Sequence, residues 1–232
     1  MQERTRKRYP TPFSFLLVFL ASITAGSCGL PKILYLYPPL SFSAFGGNTV
    51  TLVHNPQNYD ALEGANQSFK GYEIYYRIYD TESKAQNDII LINKKLDTSP
   101  NSPDIVMSYA ATTLKFIRMK NSATSSQPLV TISNPENDSQ FNLTLHQDSE
   151  WSISSETLAA SIDVVRSITD ITRQSFYNKS NYLSSDIDYS GSTGSPDSLY
   201  AVFFAVAYAN NPDTIGQIDY SIPVVISTPI QF

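Results

Sequence analysis

Residues 199–209, Leu-Tyr-Ala-Val-Phe-Phe-Ala-Val-Ala-Tyr-Ala, are apolar throughout. A run without polar alternation reads as a strand buried on both faces. Turn chemistry follows in Asn211-Pro212 and Gly216. Residues 218–227 then return as a second strand, with Pro223 and Pro229 suiting an edge position. A third strand is read over residues 71–79. There Tyr72, Ile74, Tyr76 and Ile78 fall on one face, and Glu73, Tyr75, Arg77 and Tyr79 on the other. The 15 tyrosines and 12 phenylalanines, with many Ile, Val and Thr, favour pleated, half-buried surfaces.

Between these strands the pattern is more mixed. Over 83–96, Ala85, Ile89, Ile92 and Leu96 recur at steps of four, three and four, as on one face of a helix, and Ser83 with Gln86 fits a capping box. A strand through 89–92 is the competing reading. Further strands are expected at 33–37, 48–54, 113–119, 129–133, 141–146 and 175–182, with a short helix or turn at 105–111. Residues 156–168 suit a helix face or a strand equally. Residues 184–198 read as an acidic, Ser/Gly-rich loop, and no internal repeat is found. The expected fold is mainly β: an antiparallel β-sandwich spanning 33–232, elaborated by an inserted middle region, about 81–197, with one or two short helices.

Two segments carry a resemblance. Gly71-Tyr72-Glu73-Ile74-Tyr75-Tyr76-Arg77 is similar to the central strand of a fibronectin type III or immunoglobulin-like sandwich. Residues 200–209, their hairpin loop and Tyr220-Ser221-Ile222-Pro223-Val224 are similar to its last two strands. The chain departs from those families in having about 120 residues between the two segments, where a whole such domain has ~100. The resemblance implies architecture alone, because that fold serves many unrelated partners.

The N-terminal segment speaks of location. Arg4, Arg6, Lys7 and Arg8 precede a nearly unbroken apolar run, residues 13–23, and Ala25-Gly26-Ser27-Cys28 closes it with small residues and the only cysteine. A basic start, a short apolar core and a small-residue end make an export signal. The run is shorter than the ~20 apolar residues of a spanning helix. A lone Cys at its end resembles a bacterial lipoprotein signal with a relaxed, spirochaete-like lipobox: Ala25 stands where Leu is preferred. The resemblance implies removal of residues 1–27, lipidation of Cys28, a tether over 28–32 and attachment to the envelope. Ordinary signal cleavage is the alternative, since Ala25 and Ser27 satisfy its small-residue rule as well. Gly29 is not the Asp that marks inner-membrane retention in some bacteria, which favours the outer membrane.

Composition narrows the partners. The net charge is −5, and the basic cluster lies in the export segment, so the body is more acidic still. That argues against nucleic acid and against docking on anionic lipid; the membrane is expected as a partner through covalent lipid. A single cysteine allows no internal disulfide, and ~200 residues suffice for a self-supporting core.

Candidate sites are few. His54 and His146 both fall in predicted strands, and Cys28 would be consumed by lipid. No nucleophile elbow, phosphate loop, paired-cysteine or zinc-helix motif appears. Asp186, Asp188, Ser190, Gly191 and Asp197 match positions 1, 3, 5, 6 and 12 of a calcium loop, with Asp where Glu is expected at the end and with Thr193 and Pro196 departing from the pattern. Tyr75, Arg77 and Tyr79, side by side on one strand face, suit a partner-binding surface. The function expected is a non-catalytic, lipid-anchored envelope module that binds a protein or glycan partner or builds the envelope. The alternatives are a small-ligand-binding or assembly lipoprotein with a pocket, and an envelope hydrolase.

Overall fold

The computed structural model describes residues 36–60, 69–123, 127–132, 139–192, 197–210 and 218–232. Cys28, the tether, the start of the strand expected at 33–37 and the turn residues 211–217 lie outside them. The described residues form a mainly β body of two sheets, antiparallel but for one short pair.

The first sheet contains β1 (Ser41–Phe45), β2 (Thr49–Val53), β5 (Lys120–Asn121), β7 (Gln140–Thr144), β8 (Trp151–Ser154) and β9 (Ile162–Val165), in the order β1-β2-β7-β8-β9-β5. Four of its six strands come from the middle of the chain, so that region builds a layer of the sandwich rather than decorating a finished one.

The second sheet is built on β3 (Phe69–Tyr79) and β11 (Tyr200–Asn210), 11 residues each, which pair antiparallel from Tyr79↔Tyr200 to Gly71↔Tyr208. The sequence-predicted strand and hairpin thus lie in one sheet. Short strands complete it. β10 (Tyr189–Ser190), β4 (Ile117–Arg118) and β6 (Val130–Thr131) pair with β3, and β12 (Ile218–Tyr220), β13 (Val224–Val225) and β14 (Ile230–Gln231) with β11. β10 runs parallel to β3. Gly71 has φ +144°, and a methyl group there would lie 1.9 Å from the Val130 carbonyl oxygen of β6, so the crossing needs glycine.

The two sheets meet across aromatic rings. Trp151 of β8 lies flat on Phe176 at 4.1 Å and meets Phe203 of β11 edge-on at 6.0 Å. Tyr72, Ile74, Tyr76 and Ile78 face this same core and are buried. Filling such positions is worth about 1.5–3 kcal/mol per large apolar side chain.

Helix α2 (Glu82–Thr98) covers the other face of β3 and β11; it follows a single helical turn, α1 (Gln57–Asp60). Its buried stripe is Ala85, Asp88, Ile89 and Ile92, the i, i+3, i+4, i+7 spacing of an amphipathic helix. The helix begins one residue before the expected capping box, with Thr81 at the N-cap and no side-chain cap bond. α3 (Pro103–Ser108) follows and runs into a π-turn, Tyr109–Thr113, which replaces the start of the strand expected at 113–119. Residues 175–182 are not a strand: they contain the 3-10 turn Lys179–Asn181. Among the described residues, no helix is long and apolar enough to cross a membrane.

Candidate functional site

The acidic loop is tied to two arginines. Arg166, just past β9, is fully buried, and all five of its guanidinium hydrogens have acceptors. Nε and Nη2 donate to the Asp188 carboxylate at 2.8 and 2.6 Å, Nη2 also to Asp186 at 2.9 Å, and Nη1 to the carbonyls of Arg173 and Asn181 at 3.2 and 3.0 Å. The Tyr182 ring lies 3.9 Å beneath the guanidinium. Burial alone would lower the Arg166 pKa, but the Asp188 carboxylate, with Tyr182 and Asp186, more than reverses this and holds it above its ordinary value. Asp186 also takes Arg173 Nη1 at 2.9 Å, and its own turn offers the Leu183 N–H at 3.0 Å. Burial works to raise the Asp186 pKa, yet Arg173, the Leu183 amide and Arg166 together hold it below the usual carboxylate range.

The other members of the predicted calcium loop are placed apart from this pair's chemistry. Ser190 ends β10, opposite Tyr79. Asp197 is exposed, and its backbone carbonyl accepts from Lys179 Nζ at 2.9 Å. Thr193 and Pro196 lie outside the described residues. Among the described residues, no group of three or more His, Cys, Asp or Glu is arranged to hold a metal ion. His54 is buried with Nδ1 2.8 Å from the Tyr72 hydroxyl, and His146 Nε2 lies 3.2 Å from Ser152 Oγ.

The predicted binding face divides in two. Tyr79 is buried under α2 and donates its hydroxyl to Asp88 at 2.7 Å; Arg77 approaches the same carboxylate at 3.5 Å and lies over the Tyr79 ring. That pairing explains why an aspartate sits in the apolar stripe of α2. Burial first, and the Asp88 charge second, push the Tyr79 pKa well up. Arg77 and Tyr79 are therefore roofed by the helix, and only Tyr75 stays on the open part of the face.

At that open end a polar cluster gathers that sequence reasoning did not single out. Tyr75 stacks on Phe204 of β11 at 4.9 Å and stands opposite Arg118 of β4 in register. Tyr208 and Tyr220 meet edge-on at 6.0 Å across β11 and β12, and the Tyr208 hydroxyl donates to Gln127 at 3.3 Å. Beneath them Glu73 is fully buried, with Arg118 Nη1 3.3 Å from its Oε1. Burial pushes the Glu73 carboxyl up to about 7, against the pull of Arg118 and the Leu129 amide. The alternation of β3 does place Glu73 with Tyr75, but a carboxylate in such a pattern reads as solvent-facing; only the cover over this face makes it buried.

A shallow groove of about 400 Å³ runs between α2 and α3, lined by Lys95, Asp104, Ile105, Ser108, Tyr109 and the threonines of the π-turn. Compared with protein-family models, curated proteins and solved structures, the chain matches none.

Proposed function

We propose that this chain is an exported lipoprotein of a bacterial envelope, anchored at the outer membrane through lipid on Cys28. Its body is a non-catalytic, fibronectin type III or immunoglobulin-like module that binds a protein or glycan partner or serves as a building part of the envelope. The observation that carries this reading is the N-terminal segment itself: a basic start, a short apolar run and small residues leading to the one cysteine of the chain. The two-sheet body is in keeping with it. So is the loop held by Arg166 and Arg173, which displays Ile171, Leu183 and Ile187 at 79%, 43% and 58% exposure beside their ion pairs with Asp170 and Asp186. Apolar side chains presented on a braced loop suit a contact surface.

The groove beside α2 favours a second reading, a small-ligand-binding lipoprotein, since small molecules bind in concave sites. The experiment that tests the anchor is Cys28→Ala. Two or three acyl chains bind a membrane almost permanently, at ~0.8 kcal/mol per buried CH₂. The variant is expected in the aqueous phase of a detergent partition or as unprocessed precursor. A processed variant that still enters the detergent phase refutes the anchor, and protease treatment of intact cells then distinguishes a surface from a periplasmic position.

A further inference from the structure

One carboxyl on the outer face of β3 is left incompletely satisfied by the fold. Glu73 is fully buried, and its Oε2 has no hydrogen-bond partner. Its Oε1 receives Arg118 Nη1 at 3.3 Å, longer than a strong charge-assisted bond. A carboxylate removed from water with one oxygen unpaired is costly, whereas the neutral acid in the same place is much less so. The groups that face it are the Leu129 amide, Arg118 from β4, Tyr75 from β3 itself, Tyr208 from β11 and, beside these two tyrosines, Tyr220 from β12. Arg118 is the cation among them. Its backbone is pinned, because its carbonyl accepts the Ser167 hydroxyl from beyond β9, while its side chain is partly exposed.

We propose that Glu73 is a proton-operated latch: as a neutral acid it lies closed beneath Tyr75, Tyr208 and Tyr220, and on losing its proton to solvent it draws Arg118 inward and loosens that tyrosine cover. The driving force is the new negative charge, which must be met by the guanidinium or by water; either one disturbs the rings packed above. Burial sets the transition near neutral pH, and Arg118 keeps it from rising further. The latch rests on the geometry of this face and is independent of the lipid anchor.

The test is a pH titration of the full chain in detergent, followed by ¹³C NMR of the glutamate carboxyls and the tyrosine rings from about pH 4 to 9. One carboxyl is expected to titrate close to neutral pH and to vanish in Glu73→Gln. The ring signals of Tyr75, Tyr208 and Tyr220 should move with the same midpoint in the wild type and stay fixed in the variant. Arg118→Gln provides a second reading. Without its cation, Glu73 should titrate higher by about one pH unit, a tenfold weaker acid. A Glu73 midpoint in the ordinary carboxylate range overturns the latch, as do tyrosine rings that ignore the transition. An unmoved midpoint in Arg118→Gln overturns the role given to the arginine.

Discussion

The Tyr76 hydroxyl donates to the Asp188 carboxylate at 2.8 Å, joining residues 112 positions apart. The same oxygen accepts the backbone N–H of Ser167 at 2.7 Å. One phenol thus links β3 to the segment that follows β9 and to the acidic loop. Burial, and next the Asp188 charge, push its pKa well up, so it remains a donor at any ordinary pH.

Asp188→Asn should destabilise the fold by about 3–5 kcal/mol, because it leaves Arg166 buried with its main counter-charge gone. Tyr76→Phe should cost less, about 1–3 kcal/mol, by removing one hydroxyl from two partners. Urea unfolding of both variants and of the pair measures this. The two effects should not add, since both act on one network.

Acid should weaken the same network through Asp186. Its folded pKa lies below the unfolded one, so its contribution is complete above the unfolded value and is lost as pH falls through the folded one. Asp186→Asn should therefore flatten the fall of melting temperature on the acid side. A wild-type and a variant curve that run parallel there would contradict the assignment.

Glu73 has the opposite sign. Its folded pKa, about 7, stands above that of the unfolded chain, so its contribution is full at acid pH and is lost as pH rises through about 7. Glu73→Gln should match the wild type near pH 4 and exceed it by about 3 kcal/mol above pH 8. Denaturant midpoints at the two pH values decide the matter.

Calcium at millimolar concentration should leave the melting curve unmoved. To bind at Asp186 and Asp188 it would have to displace Arg166 and Arg173 from contacts of 2.6–3.0 Å. Ligand binding to the folded state alone raises the melting temperature, so a calcium-dependent rise would show that the ion pairs yield.

Gly71→Ala should destabilise by more than the ~1 kcal/mol typical of glycine replacement. The substitution would put a methyl group against the Val130 carbonyl and force a side chain into a positive-φ conformation. Equilibrium unfolding checks it, with loss of the β3–β6 pairing visible in amide exchange.

The elements legible in the sequence were those with enough residues to show a period. β3 alternates over residues 71–79, β11 is apolar from Tyr200 to Ala209, and α2 repeats its apolar spacing from Ala85 to Leu96. β5, β10 and β14 have two residues each, too few for any period, and exist because a neighbouring strand passes beside them. Trp151 of β8 gave no strand signal, although it anchors the core. Phe176 and Tyr182 suggested a strand because they are apolar, but they are buried by contacts with Trp151 and Arg166 rather than by pairing. Asp186 and Asp188 stood out in the sequence and do mark an organised loop, yet their partners are arginines some 13 to 22 residues away, a relation that no local motif encodes. Glu73 and Arg118 were invisible as a pair for the same reason.

The position of β11 bears on when the body can become itself. It is the middle of the second sheet, flanked by β3 on one side and by β12, β13 and β14 on the other, yet it occupies residues 200–210. Until those residues arrive, β3 has exposed one long edge and Trp151 lacks Phe203. A chain made from its N-terminus therefore cannot complete the second sheet until residues 200–210 are present, so the closing of this core waits on one of its last strands.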